Sequence, residues 1–165
     1  MELLVVVLLL GILAAALAPH YSASSRDAKL NELKASLAVM RKAIERYAAE
    51  HDGVYPGARP SGIVGPNTPE QHFRNQLLLH TRADGLAKRT KDVANGYRYG
   101  PYLKYGQLPA NPYNRRRDLV VDTTTTDITR RDADGASGWK FFALTGVLIA
   151  NDNSATEEAV PTSKF

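Results

Sequence analysis

The chain contains no cysteine among its 165 residues. Disulfide bonds, thiolate nucleophiles and zinc sites with cysteine ligands are therefore excluded. The compartment stays open, because a secreted domain large enough to build a hydrophobic core does not need disulfide bonds. With 44% hydrophobic residues, the chain has enough apolar content for one domain with an appendage.

The chain also lacks the common sequence motifs of catalytic sites. The chain has no G-x-S-x-G segment, no phosphate-binding loop, no H-E-x-x-H segment and no close carboxylate pair in a distinctive setting. We therefore predict that the protein is not an enzyme and has no catalytic residues.

A dense basic face is a third absence. The formal net charge is +4, and the 21 Lys and Arg residues are spread along the chain except at 115–117 and 130–131. Nucleic-acid-binding proteins usually carry a denser basic surface with interleaved aromatic residues. The sequence therefore predicts a solvated surface and no nucleic-acid partner.

What the chain has is a continuous apolar run at its start. Residues 3–18 are apolar or small, with Glu2 before them and Pro19 after them. As a helix the run would extend about 24 Å, less than the roughly 30 Å of a bilayer core. Three interpretations are open: a cleavable signal peptide, a buried core helix, and a membrane anchor that lacks its first residues. Signal peptides usually start with positive charge, and a wholly apolar core helix needs a larger protein around it.

The segment that follows predicts an amphipathic helix. Residues 22–52 contain no Gly or Pro, and a helix here should end near Asp52 and Gly53, because glycine is favoured just past a helix end. Apolar residues recur at alternating spacings of three and four: Leu30, Leu33, Leu37, Met40, Ile44 and Tyr47. We expect the face formed by Leu37, Met40, Ile44 and Tyr47 to carry the rest of the domain.

Together the two segments predict one helix of some fifty residues, with an apolar part at 1–19 and an amphipathic continuation at 20–52. Pro19 need not end this helix, because neighbouring groups can satisfy the carbonyl that a proline leaves free. A kink is the expected effect of the proline. A signal peptide alone does not explain why an amphipathic helix follows directly.

The start of the chain carries a recognisable motif. Glu2 precedes a run of Leu and Val, Gly11–Ala14 reads GILA, and Pro19 lies seventeen residues after Glu2. In these residues the chain resembles the type IV pilin superfamily and, within it, the major pseudopilins of type II secretion systems. Weaker similarity to that family continues in the segments 44–56, 100–114 and 138–153. The family's basic leader is missing, and Met1 stands where the family has an apolar residue, so we expect the natural chain to begin further upstream.

The resemblance implies a structural subunit that assembles through its N-terminal helix into a filament supporting protein export. Glu2 would pair with the α-amino group of an adjacent subunit, and Gly11 and Pro19 would belong to the same assembly motif. The resemblance further implies a single pass through the inner membrane, a periplasmic head, and contacts with itself, other pseudopilins and platform proteins of the secretion system. The membrane anchor would consist of Leu3, Leu4, Val5, Leu8, Leu9 and Ile12.

Residues 53–153 predict a globular head. Glu70–Leu79 has the pattern of a short helix, and Asp118–Thr126 and Trp139–Ala150 have the composition of strands, the second with a hairpin turn at 145–146. The predicted fold class is α+β: a long N-terminal α-helix, with a membrane-spanning first half and an amphipathic second half, packed on a small antiparallel β-sheet head. The tail 154–165 is expected to be disordered.

Three features of the head bear on ligand binding. His72 and His80 are too far apart for metal ligands on one helical face, so we predict surface or capping roles for them. Asp132 and Asp134 resemble the start of a calcium loop, but the later ligands are missing, so we expect a solvated turn and predict no metal or cofactor. The Tyr- and Pro-rich segment 97–113 is a packed loop or a ligand platform.

Two other functions stay open. A membrane-anchored extracytoplasmic binding module would use the tyrosine-rich loop and would not polymerise. A secreted enzyme domain with a cleaved signal peptide would begin near Pro19 or His20. Replacing Glu2 with Ala separates the filament subunit from the binding module. The substitution should impair assembly of a filament subunit, whereas it should leave ligand binding by a binding module intact.

Overall fold

A computed structural model of the protein describes residues 2–104, 106–127, 129, 132–154 and 164, with side chains at 3–13 and from residue 25 onward. In chain order the elements are α1 (Glu2–Glu50), α2 (Pro69–Leu78), β1 (His80–Thr81), β2 (Ala87–Lys88), a short 3-10 helix (Val93–Asn95), β3 (Leu119–Asp122), β4 (Trp139–Phe142) and β5 (Val147–Ala150).

Helix α1 ends where the sequence offers a glycine. Asp52 and Gly53 both have positive φ angles, 56° and 76°, and the Gly53 amide donates to the Ala48 carbonyl at 2.9 Å. This left-handed termination satisfies a carbonyl that the last helical turn leaves open. Because no Gly or Pro lies between 20 and 50, the chain offers no earlier stop.

One face of α1 forms the first layer of the core. Its buried side chains recur every three or four residues and therefore lie on one side of the helix. They are Leu33, Leu37, Met40, Ile44 and Tyr47, each at most 1% exposed. Against them pack Phe73 and Leu77 from α2 and Trp139, Phe141 and Leu148 from the sheet. The core thus belongs to the second half of α1 and the head together.

Helix α2 begins with a conventional cap. The Thr68 side chain accepts a hydrogen bond from the Gln71 amide at 3.3 Å, and Pro69 occupies the first helical turn, where its missing N–H costs nothing. The helix starts and ends one residue earlier than the sequence predicts. It lies between α1 and β3, and the Glu70 carboxylate accepts from the Val121 amide at 3.2 Å.

The main sheet has three strands in the order β3-β4-β5. Strands β4 and β5 pair antiparallel, with Trp139 opposite Ala150. Their turn closes on Gly146, whose φ is 73° and whose amide donates to the Phe142 carbonyl at 2.9 Å. The free edge of β5 faces α1, and the Leu148 carbonyl there accepts from Arg41 Nη2 at 2.8 Å. A separate two-stranded sheet joins β1 and β2.

The predicted antiparallel sheet is wrong in its pairing. Strand β3 runs parallel to β4, with Leu119 opposite Trp139 and Asp122 opposite Phe142. A parallel pair needs a connection of about a dozen residues or more, and the segment 123–138 is long enough to return the chain to the starting edge. The head is therefore built on a mixed sheet.

The predicted membrane-spanning first half of the helix is also wrong. In the part of the chain that the structure describes, no helix has both the length and the apolar character needed to cross a membrane. The apolar run of the sequence, 3–18, has 16 residues, fewer than the about 20 that a spanning helix needs. The fold-class prediction is corrected on both counts. The predicted tail falls outside the described residues except for Ser154 and Lys164.

Candidate assembly surface

The N-terminal part of α1 exposes an unusual amount of apolar surface. Between residues 3 and 13, every large apolar side chain is at least 52% exposed, and Leu3 reaches 82%. These side chains lie on all sides of the helix, so the segment has no polar face. We call this segment, 3–13, the apolar arm. Contiguous exposed apolar surface of this kind marks an interaction site.

The head does not cover the apolar arm. The first core residue of α1 is Leu33, and twenty residues of helix separate it from Leu13. At about 1.5 Å per residue this distance is about 30 Å. Any partner that buries the arm therefore has to come from outside the described part of this chain.

The predicted site residues fall into two sets along α1. The anchor set is exposed on the arm: Leu3, Leu4, Val5, Leu8, Leu9 and Ile12. The head-packing set is buried in the core: Leu37, Met40, Ile44 and Tyr47. Gly11 lies on the arm, and a Cβ there would meet nothing within 4 Å. The side chains of Glu2 and Pro19 lie outside the described residues, although α1 includes both positions.

A groove lies beside the second half of α1, away from the apolar arm. Its volume is about 540 Å³, and we call it the α1 groove. Helix α1 contributes Ala35, Ser36 and Val39, and the segment between the 3-10 helix and β3 contributes Tyr102, Leu103, Lys104, Gln107, Leu108, Pro109 and Arg117. Leu103 and Leu108 are buried, whereas Val39 is 55% exposed.

The tyrosine-rich loop owes its position to backbone hydrogen bonds. The amides of Tyr102 and Leu103 both donate to the Leu77 carbonyl, at 2.9 and 3.1 Å. The Trp139 indole donates to the Pro109 carbonyl at 2.9 Å. The loop is thus a packed wall of the groove. Tyr105 lies outside the described residues.

A polar cluster at the C-terminal end of α1 was not foreseen from the sequence. His51 is 1% exposed, and its ring stacks on Tyr47 with 3.8 Å between centroids. Its Nδ1 lies 2.7 Å from the Tyr47 carbonyl, and its Nε2 lies 3.0 Å from Thr81 Oγ1. The imidazole therefore fastens the helix end to β1. A histidine directly before a helix-ending Asp-Gly pair was the available signal.

Burial controls the ionisation of this cluster. Desolvation lowers the pKa of His51 below its ordinary value, against the opposing pull of the Tyr47 carbonyl. Desolvation and a 2.6 Å hydrogen bond to the Glu50 carboxylate raise the pKa of Tyr102. The cluster therefore favours a neutral imidazole and a protonated phenol. These protonation states suit a structural joint better than proton transfer.

The surface or capping role predicted for the histidines is wrong for His72. This residue is 7% exposed, and its Nδ1 accepts from the Ser61 amide at 3.1 Å. Asn75 donates to the Ser61 hydroxyl at 2.9 Å, which completes a buried network. The irregular chain before α2 brings a backbone amide inward, and the amide needs this acceptor. His80 is partly exposed, and its Nδ1 is buried with no hydrogen-bond partner among the described residues.

The late loop that carries Asp132 and Asp134 is held by protein groups. Asp134 accepts from the Ala136 amide at 2.9 Å and from Asn151 Nδ2 at 2.7 Å, and Lys140 Nζ lies 3.3 Å from it. The amide and these partners hold the pKa of Asp134 below its usual range. Over the described ranges, no group of three or more His, Cys, Asp or Glu residues could hold a metal ion.

No protein-family model, curated protein or solved structure matches the chain. Function is therefore inferred from the residues and their geometry.

Proposed function

We propose that the protein is a structural subunit of a filament of the type II secretion or type IV pilus kind, which assembles through its N-terminal helix. The observation that carries this proposal is the apolar arm, with every large apolar side chain at least 52% exposed and about 30 Å of helix between it and the core. A surface this apolar needs a partner.

Copies of the same helix can supply that partner. Full burial of a large apolar side chain contributes about 1.5–3 kcal/mol, and the arm carries ten such side chains: Leu3, Leu4, Val5, Val6, Val7, Leu8, Leu9, Leu10, Ile12 and Leu13. Burial of all ten would contribute up to about 15–30 kcal/mol, whereas association costs roughly 4–15 kcal/mol. Parallel helices would form the filament centre, with the heads outside.

The same proposal includes the surroundings of the filament. The head would lie on the periplasmic side, and platform proteins at the inner membrane and other pseudopilins would be partners. Glu2 supports this view, because a carboxylate beside an apolar run requires a specific cationic partner when it is buried.

The test replaces one arm residue by a charged one. We expect Leu9→Glu to reduce self-association of the full chain at least tenfold, because assembly would bury an unpaired carboxylate. Val64→Glu is the control, since Val64 is also exposed but lies in a head loop. Sedimentation velocity and negative-stain electron microscopy measure the assemblies. A wild-type chain that stays monomeric up to its solubility limit would contradict the proposal.

A further inference from the structure

We propose that the α1 groove receives the apolar arm of a second copy of this chain, with the Glu2 carboxylate of that copy beside Lys104 and Arg117. This inference rests on the proposed filament function and names the surface that one subunit offers to the next. It gives Glu2 a cationic partner in the neighbouring head, where the family resemblance implies an α-amino group.

The first argument is the apolar match between the two surfaces. The groove is lined by the aliphatic side chains of Val39, Leu103 and Leu108. A helix that docks in a groove uses side chains spaced by three, four and seven residues. Leu3, Val6, Val7 and Leu10 have this spacing on the arm and are each at least 52% exposed.

The second argument is charge complementarity. Lys104 and Arg117 are the charged residues that line the groove, and none of the described residues along its wall is acidic. Arg117 Nη1 donates to the Leu108 carbonyl at 2.9 Å, which holds the guanidinium at the groove. Glu2 is the one Asp, Glu, Lys or Arg residue among the first 25 of the sequence. An arm seated in the groove therefore brings a single carboxylate towards two cations.

The third argument is that the contact has to be intermolecular. Leu3 and Val39 lie on one helix, 36 residues apart, which corresponds to about 54 Å. Because both residues belong to one continuous helix, the start of α1 cannot fold back into its own groove. Copies arranged in parallel and shifted along the helix axis by this distance bring the arm of one copy level with the groove of another.

Disulfide trapping tests the contact. Because the chain has no native cysteine, only the introduced cysteines can form a disulfide bond. A full-length chain with Leu3→Cys is mixed with an isotope-labelled full-length chain with Val39→Cys, and mild oxidation is followed by mass spectrometry of the linked peptides. The control replaces Val39→Cys by Val64→Cys, which is the same residue type at a more exposed position. We expect at least tenfold more mixed disulfide with Val39→Cys than with Val64→Cys.

The outcomes separate this inference from the proposed function. Equal or lower trapping at Val39 in chains that still self-associate would overturn the groove contact and leave the filament proposal standing. Chains that do not self-associate at all would overturn both. Preferential trapping at Val39 supports both.

A charge exchange tests the position of Glu2. We expect Lys104→Glu to lower Leu3–Val39 trapping several-fold, because it places like charges together. Here Lys104→Glu is placed in the labelled Val39→Cys chain. Adding Glu2→Lys to the Leu3→Cys chain should then restore the yield of mixed disulfide. Thermal unfolding of Lys104→Glu checks that the exposed substitution leaves the head folded. If Glu2→Lys does not restore trapping in a folded Lys104→Glu chain, the proposed placement of Glu2 is wrong.

Discussion

At the residue scale, His51 shows how a titratable group can serve as a joint. Its ring lies between the end of α1 and β1, with Tyr47 stacked at 3.8 Å and Thr81 at 3.0 Å. Because the site is buried, the neutral imidazole is favoured there and the pKa of His51 lies below its ordinary value. Protonation of His51 is therefore less favourable in the folded protein than in the unfolded chain.

This ionisation predicts a pH dependence of stability. In the unfolded chain a histidine titrates near pH 6.5, and in the folded chain His51 titrates lower. The unfolded state therefore binds more protons below about pH 6.5, so the free energy of unfolding should fall from that pH downward until the folded pKa is passed. Urea unfolding at a series of pH values measures the effect.

The control for this prediction is His51→Gln. The variant should lose roughly 1–3 kcal/mol at neutral pH, because it removes the stacked ring and disturbs a buried hydrogen bond. It should also show a shallower loss of stability between about pH 6.5 and 5 than the wild type. An unchanged pH profile in the variant would assign the dependence to other groups.

At the element scale, the β4–β5 turn depends on Gly146. Its φ of 73° disfavours any side chain, and an added Cβ would collide with the Tyr55 ring. Gly106 has a similar φ of 64°, but a Cβ there would meet nothing within 4 Å. The two glycines therefore separate backbone strain from steric overlap.

We predict that Gly146→Ala costs more stability than Gly106→Ala. The left-handed conformation alone should cost each variant about 1–2 kcal/mol, and overlap with Tyr55 should add about 1–3 kcal/mol at Gly146. Chemical denaturation of the two variants measures the difference. Equal losses would mean that the Tyr55 ring moves aside without cost.

Local elements followed from the sequence better than their pairing did. The apolar pattern of Glu70–Leu79 predicted α2 to within one residue at each end, and β4 and β5 lie in the segment predicted as a hairpin. The parallel pairing of β3 with β4 was missed, because β-branched and aromatic residues report strand formation and not the neighbour of a strand. The buried roles of His51 and His72 were also missed. Their hydrogen-bond partners, Thr81 and Ser61, are distant in the sequence, so no local pattern reports these contacts.

At the scale of the whole molecule, assembly and folding use different parts of α1. The core draws on α1 from Leu33 onward, whereas the apolar arm ends at Leu13. The arm therefore contributes little to the stability of the isolated head. The predicted membrane-anchor residues and the predicted head-packing residues lie on one helix, but the former are exposed and the latter are buried in the core.

Deletion of residues 3–13 should leave the unfolding temperature of the head within a few degrees of the wild type. A change of 1 kcal/mol would shift this temperature by roughly 2–8 °C in domains of this size range. Circular dichroism measures the transition for dilute samples of both chains. A large decrease would mean that the arm packs on the head in solution.

The continuity of α1 also fixes a rotational phase between the arm and the head. Each residue turns a helix by about 100°, and seven residues complete nearly two turns. One alanine inserted between Ser25 and Leu33 would rotate the arm by about 100° relative to the head, whereas seven inserted residues would nearly restore its direction and lengthen the shaft by about 10 Å. The number of residues between the apolar arm and the head therefore determines the rotation of one relative to the other about the helix axis, as well as the distance between them.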